Sequence, residues 1–281
     1  MGAAREHFPV AIVGPGALGL LYASALSRVT PTAVIARSAA RARELRRGVR
    51  VGNKVFRPSA FGPAALPRAD LVVILVKAYD TPAALRIAHR MNARQVLSLQ
   101  NGLIERVPQG VSTAGAYRKG STVVAITTGE TFLPSGFDTL AAQLRRAGLR
   151  SRVVADIDAV RHRKLLANVC INPVTALFRI RNGEALEPPY FSIVEALARE
   201  AAKALRLSER TAIAYVKKVA AATGGNRSSM LQDIEAKRRT EIDALTGALL
   251  HIAKRRRVDA PTHRAILRLI SVMEGRLESL A

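Results

Sequence analysis

The sequence predicts two domains of different class, a doubly wound α/β domain over residues 1–155 and an all-α domain over residues 156–281. Three observations carry this. In the first half, short and continuously apolar runs alternate with helical stretches. A G-x-G-x-x-G motif joins the first run to the first helical stretch. After Asp156 the β-type runs stop and apolar residues recur at spacings of three and four. A length of 281 residues allows each domain its own core.

The runs 10–13, 33–36, 71–76 and 96–99 are apolar throughout rather than alternating. That pattern suits parallel strands covered on both faces. Helical stretches lie between them, at 17–27 and 82–91, the second opened by Thr81 as N-cap and Pro82 in the first turn. A turn at Tyr117, Arg118, Lys119 and Gly120 joins two further β-type runs, 110–116 and 121–127. The second half reads as helices at 158–179, 191–205, 208–222, 228–255 and 261–279. Breaks fall at Pro188-Pro189, at Thr223 to Asn226 and at Ala260-Pro261.

Apolar residues make up 49% and charged residues 23%, and no apolar run approaches a membrane span. Collagenous, largely disordered and polytopic membrane chains are thereby excluded. One cysteine, Cys170, leaves no internal disulfide framework and no cysteine-based zinc site, and it is expected in the core. No His/Cys/Asp cluster suggests a metal. The first residues run into a short strand without a long apolar leader, so a cytoplasmic location is expected. The net charge is +23, and a field of that sign attracts anions of every kind. The basic clusters are scattered, however, and aromatics are only 4%, too few for a base-stacking platform. The expectation is a solvated basic surface with no nucleic-acid partner and no membrane partner, the possible macromolecular partner being a second copy in a homodimer.

Gly14, Pro15, Gly16, Ala17, Leu18 and Gly19 follow the first strand and open the first helix. Gly14 permits the tight turn, Gly16 lets the backbone approach a pyrophosphate, and Gly19 lets helix and strand pack closely. The helix then offers free N–H groups to the phosphates, as in Rossmann-type domains. The second strand ends in Ala36-Arg37-Ser38 with no acid at its tip. A carboxylate there would take a ribose 2′-hydroxyl; an arginine meets a 2′-phosphate instead, so NADPH is expected, with Arg37 on the phosphate. Lys77 and Asn101 follow the third and fourth strands, at the edge where such sheets bind ligands. A strand terminator and a turn former are the equally available plain readings of these two.

In the second half, Lys164, Asn168 and Asn172 fall at i, i+4 and i+8, on one side of a helix. Amides beside Leu165, Leu166, Val169 and Ile171 need hydrogen-bond partners, which a ligand with carbonyl, carboxylate and hydroxyl groups would supply. A solvent-facing polar stripe is the alternative. Pro173 is expected to end or bend this helix. Ser229 and Gln232 fit a capping box at a helix start, and Glu241 falls three turns further along the same predicted helix, roughly 18 Å away.

Together these residues resemble the ketopantoate reductase family. The matching pieces are Gly14 to Gly19, Lys77-Ala78-Tyr79, Gln100-Asn101-Gly102, Arg163-Lys164-Leu165 with Asn168 and Asn172-Pro173, Asn182-Gly183-Glu184, Ser228 to Asp233, and Thr240 to Asp243. The resemblance implies NADPH-dependent reduction of 2-dehydropantoate (ketopantoate) to pantoate in pantothenate and coenzyme A synthesis. It makes Lys164 the proton donor. It assigns Asn101, Asn168, Asn172 and Asn182 to the substrate, with Ser229, joined by Ser228, on the carboxylate. Arg37, Lys77, Asn101, Ala116 and Glu241 would line the cofactor beside the glycine loop. It also implies a helical second domain similar to that of 6-phosphogluconate dehydrogenase. This chain departs from the family in three ways. His162 stands where an aromatic Trp is common, the Asn101 to Gly110 connection is short, and the composition is unusually basic. Two other functions remain open on the sequence: reduction of another 2-keto acid or imine, and a non-catalytic NADPH-binding protein that binds nucleic acid.

Overall fold

The computed structural model describes residues 5–119, 122–127 and 129–276. It divides into two compact units, one holding residues up to 100 with 104–157, the other residues 101–103 with 158 onward. The first unit contains strands β1 (His7–Val13), β2 (Thr32–Ile35), β3 (Val49–Val51), β4 (Lys54–Phe56), β5 (Ser59–Phe61), β6 (Arg68–Ile74), β7 (Gln95–Ser98), β8 (Val111–Ser112), β9 (Gly115–Lys119), β10 (Thr122–Thr127), β11 (Thr131–Leu133) and β12 (Ser151–Val153). Its helices are α1 (Ala17–Leu26), α2 (Ala39–Arg47), α3 (Thr81–Arg90) and α4 (Asp138–Arg146).

Five strands form a wholly parallel sheet in the order β5-β2-β1-β6-β7. Val13 pairs with both Ile35 and Ile74, so the central strands end level and present one carboxyl edge. The continuous apolarity of β1 has a direct cause. Val10 and Ile12 enter a core with Leu20, Leu26 and Leu144, while Ala11 and Val13 enter a second core with Ala84, Ala88 and Met91. Both faces are covered, so neither can be polar.

Four expectations for the first unit need adjustment. Arg118 and its neighbours Tyr117 and Lys119 are strand rather than turn, with Lys119 paired to Thr122; Gly120 and Ser121 lie outside the described residues. The run 110–116 divides between β8 and β9. The three-residue strands β3, β4, β5, β11 and β12 were not predicted, being shorter than any periodicity can register. Thr81 is not the N-cap of α3. A 3₁₀ turn, Ala78–Asp80, precedes it, and its hydroxyl donates to the Ala78 carbonyl at 2.6 Å.

The second unit contains α5 (Ile157–Phe178), α6 (Tyr190–Leu205), α7 (Glu209–Ala222), α8 (Ser229–Glu235), α9 (Ala248–Arg255), entered through a π-helical turn at Asp243–Gly247, and α10 (Pro261–Met273). The all-α expectation holds, with two corrections. Of the two effects expected of Pro173, an end or a bend, the end does not occur: α5 continues to Phe178. The proline's missing N–H and ring clash cost about 3 kcal/mol. Burial of Val174, Thr175 and Ala176 in the centre of the unit outweighs that. The predicted helix 228–255 is broken instead. Lys237 takes φ +52°, Arg238 N–H returns to the Asp233 carbonyl, and Thr240 Oγ1 then accepts the Ile242 N–H at 3.2 Å to start the next turn. Ser229 and Glu241 are therefore not on one helix, and their expected 18 Å helical separation does not apply. The predicted end of the last helix at 279 falls partly outside the described residues; the described helix closes at Met273. Among the described residues no helix is long and apolar enough to cross a membrane. None of them form a His/Cys/Asp/Glu group fit for a metal ion.

The start of α10 shows how helices in this unit are joined. Its N-cap residue, Ala260, provides no side-chain acceptor. Glu200 on α6 does so instead, accepting the Thr262 N–H at 2.8 Å and the His263 N–H at 3.0 Å, with His263 Nδ1 2.9 Å from the same carboxylate. Burial alone would raise the Glu200 carboxyl; these hydrogen bonds outweigh it and hold it at about 2. A depressed folded-state value means stability that is present above the unfolded carboxyl range and lost as pH falls from 4.5 toward 2. Urea unfolding of Glu200→Gln should therefore show a loss at pH 7 of up to about 3 kcal/mol, with the difference from wild type closing as pH falls below 4.

Candidate active site

In the first unit the glycine loop has the geometry its spacing predicted. Gly14 takes φ +109°, and a Cβ there would lie 2.6 Å from Val76 N and 2.7 Å from Leu75 C, at the end of β6. A Cβ on Gly19 would run into the Gly14 carbonyl, whereas one on Gly16 would meet nothing within 4 Å. The backbone is thus closed beneath Gly14 and Gly19 and open above Gly16, where α1 begins with unpaired N–H groups.

Arg37 is exposed at the tip of β2, and Ser38 caps α2 by accepting the Arg41 N–H at 3.1 Å. Arg41 was not assigned from the sequence. Its guanidinium pairs with Glu44, yet its Nη2 is buried without a hydrogen-bond partner. Arg118, on β9, is held below its ordinary value by burial and then by the charge of Arg41. The tip of β2 is consequently cationic, and it has a donor to spare for an anion. Ala116 is half-buried in β9, opposite Ala125.

Lys77 follows β6 in a loop that a buried side chain fixes. Gln100 Nε2 lies 3.0 Å from the Val76 carbonyl, 3.3 Å from that of Lys77 and 2.9 Å from Thr81 Oγ1. The signal for Gln100 was available, since it follows the fourth strand directly before Asn101. Residues 101–110 contain no helix. Gln109 holds the connection, accepting the Ile104 N–H at 2.9 Å and donating to the Gln100 carbonyl at 3.0 Å.

In the second unit three predicted residues meet. Lys164 Nζ donates to Asn101 Oδ1 at 2.9 Å, and Asn101 Nδ2 donates to Glu241 Oε2 at 3.0 Å. The amide orientation is fixed by its neighbours, with its oxygen toward the cation and its nitrogen toward the carboxylate. Gly102 permits the approach. It takes φ +79°, and a Cβ there would lie 2.9 Å from the Ala244 carbonyl carbon in the π-helical turn. Glu241 is buried, and the backbone beside it is anchored by Glu274, whose carboxylate accepts the Thr240 N–H at 2.6 Å. Nothing in the sequence flagged Glu274, 34 residues away. Burial lowers the Lys164 ammonium from its ordinary 10.5 to about 8, and the Glu241 charge keeps it from falling further.

Asn168 and Asn172 share the Lys164 face of α5, half-buried and buried respectively. Asn182 is also buried. Its Nδ2 donates to Thr223 Oγ1 at 2.9 Å, and its Oδ1 is buried without a partner. Ser228, not Ser229, is the N-cap of α8, accepting the Leu231 N–H at 3.1 Å, and Gln232 bonds the Arg227 carbonyl rather than closing a capping box on Ser229. That leaves Ser229 exposed in the first turn. Thr175, one turn beyond Asn172, was missed although it continues the same stripe.

Residues 10–135 match the family Ketopantoate reductase PanE/ApbA, and residues 156–274 match its C-terminal counterpart. The chain belongs to the ketopantoate reductase family. A 2-dehydropantoate 2-reductase of Archaeoglobus fulgidus is 32% identical over 95% of this chain and 98% of its own. The solved structure of a probable ketopantoate reductase of this kind from Bacillus subtilis is 28% identical, covers 94% of this chain and 99% of its own, and superposes with a TM-score of 0.78. A D-mandelate dehydrogenase solved with NADH and anilino(oxo)acetate shares the fold at a TM-score of 0.85 and 21% identity, over 95% of this chain and 98% of its own. The ketopantoate reductase match covers both units and every residue of the Lys164–Asn101–Glu241 chain. Since the Glu241 charge supports the protonated lysine, Glu241→Gln should move the titration of Lys164 to lower pH. Titration of the Lys164 amine by NMR in wild type and variant would show it, and an unmoved titration would remove Glu241 from control of Lys164.

Proposed function

We propose that the protein reduces the C2 ketone of 2-dehydropantoate to pantoate with NADPH, and that Lys164 is the general acid. The observation that carries this is the Lys164 ammonium, partly desolvated, held by Asn101 and brought to about 8. At pH 7 such a group is roughly nine-tenths protonated, yet it gives up its proton far more readily than a solvated lysine.

The cofactor, when bound, supplies the hydride. The residues present fit it: open backbone over Gly16, free N–H groups at the start of α1, and the cationic β2 tip with an unsatisfied donor on Arg41. Gly14 to Gly19 would hold the pyrophosphate and Arg37 the 2′-phosphate, with Lys77, Asn101, Ala116 and Glu241 as further cofactor residues. Charge that develops on the ketone oxygen is stabilised by the Lys164 ammonium, which then transfers its proton to that oxygen. Asn101 and Glu241 orient the ammonium meanwhile. Asn168, Asn172 and Asn182 fix the polar groups of the substrate. The unpartnered Asn182 Oδ1 is an acceptor and suits a substrate hydroxyl, which can donate. Ser229, with its hydroxyl uncommitted to the α8 cap, is the carboxylate contact, while Ser228 supports it from below.

Following NADPH oxidation with 2-dehydropantoate tests the reading. Lys164→Ala should lower kcat by about 10²–10⁴-fold with NADPH affinity nearly unchanged, and normal turnover in that variant would refute the acid role. Arg37→Ala should weaken NADPH about 10- to 100-fold and leave NADH binding unaltered, as expected for loss of charge-assisted hydrogen bonds. Equal affinity of the wild type for the two cofactors would end the 2′-phosphate assignment.

A further inference from the structure

We propose that Thr175 is a positioning residue. It couples α5 to the start of α8 and so sets Ser229 against the helix that carries Lys164, Asn168 and Asn172. The proposal rests on the reading of Ser229 as the carboxylate contact.

Thr175 is fully buried, eleven residues after Lys164 and on the same side of α5. Its Oγ1 lies 2.9 Å from the Asn172 carbonyl and 2.7 Å from Ser228 Oγ. A threonine bonded back to the carbonyl three residues earlier is ordinary helix chemistry. The second contact is not local, because Ser228 lies 53 residues further on. Each hydroxyl carries one proton. The Thr175 hydroxyl donates to Ser228 Oγ, with the Asn172 carbonyl as its second acceptor within reach. Ser228 Oγ meanwhile accepts the Leu231 N–H at 3.1 Å. A continuous chain results, from the backbone of α8 through two buried hydroxyls to the backbone of Asn172. It joins the residue that would bind substrate on α5 to the cap that orients the first turn of α8, where Ser229 stands.

Valine has nearly the shape of threonine but would leave the buried Ser228 oxygen without its Thr175 donor. The cheapest relief is for the α8 cap to shift, and Ser229 moves with it. Such a shift alters substrate binding more than proton transfer, because Lys164 is held by Asn101 and Glu241 and not by this chain.

The test is steady-state kinetics with 2-dehydropantoate at saturating NADPH, on wild type, Thr175→Val and Thr175→Ser. Thr175→Val should raise KM about tenfold, equivalent to about 1.4 kcal/mol, with kcat nearly unchanged. NADPH affinity should not move. Thr175→Ser keeps the hydroxyl and should restore KM. A purely structural role predicts a lower melting temperature with an unchanged KM, or a KM that serine does not rescue, and either result overturns the proposal. Should Thr175→Val not fold, Ser228→Ala breaks the chain from the other side, and a normal KM there overturns it equally. An inactive wild type would overturn the functional reading and the proposal together; an active wild type with an indifferent Thr175→Val would overturn only the proposal.

Discussion

A cation that is withdrawn from water needs a fixed partner, and the second unit is arranged around providing one to Lys164. Asn101 bonds both groups, accepting from the Lys164 ammonium and donating to the Glu241 carboxylate. The Glu241 charge offsets part of the burial, so the ammonium remains charged at neutral pH. A buried amine without a negative charge nearby would lose its proton more readily. The remaining features of the region follow from that requirement. Gly102 has no side chain because its backbone must lie against Ala244. The helix predicted to run through residue 241 is interrupted, which frees the Glu241 backbone to turn, and Glu274 fixes that turn from a distant part of the chain.

The same logic explains how acids are used in so basic a chain. The 44 Lys and Arg outnumber the 21 Asp and Glu, and arginines lie scattered over the surface. Four acids that lie buried or half-buried are each committed to a joint. Glu200 joins α6 to α10, Asp233 pairs with Arg238 where α8 ends, Glu274 holds the Thr240 turn, and Glu241 holds Asn101. An exposed carboxylate can be replaced at little cost. One that satisfies buried backbone N–H groups cannot, since its loss leaves those donors unpaired. The basic charge is therefore a property of the surface, while the interior depends on a small number of negative groups.

The fold was legible where a single residue pattern had a single physical cause. Strands covered on both faces read as continuous apolar runs, and the glycine spacing read as a tight turn, an open approach and a close packing contact. Lys164, Asn168 and Asn172 were legible as a stripe because helical geometry alone places them together. What escaped had causes that no local window contains. Strands of three residues are fixed by pairing with distant partners. The break after Glu235 comes from a left-handed Lys237 and a returning hydrogen bond, whereas the apolar periodicity runs on past it. Ser229 looked like the cap because Gln232 stands three residues later, and the cap moved one residue back because Ser228 is buried against Thr175. Gln100 and Thr175 were within reach of the sequence, as extensions of motifs already found. Glu274 was not, since its role exists only once α10 has folded back onto the turn at Thr240.

Pro173 shows how α5 holds the side chains it carries. A proline and two asparagines are poor choices for a helix interior, and an isolated peptide with this composition would not hold the conformation. The helix survives because nearly every residue from Leu165 to Ala176 is buried by the helices around it. Tertiary packing thus supplies what local propensity withholds, and it supplies it uniformly along the segment that bears Lys164, Asn168 and Asn172. A helix held in this way cannot fray or rotate without exposing core. Polar groups mounted on it are accordingly fixed in position before any ligand arrives, which is the condition under which an ammonium and a set of amides can stabilise developing charge without first reorganising.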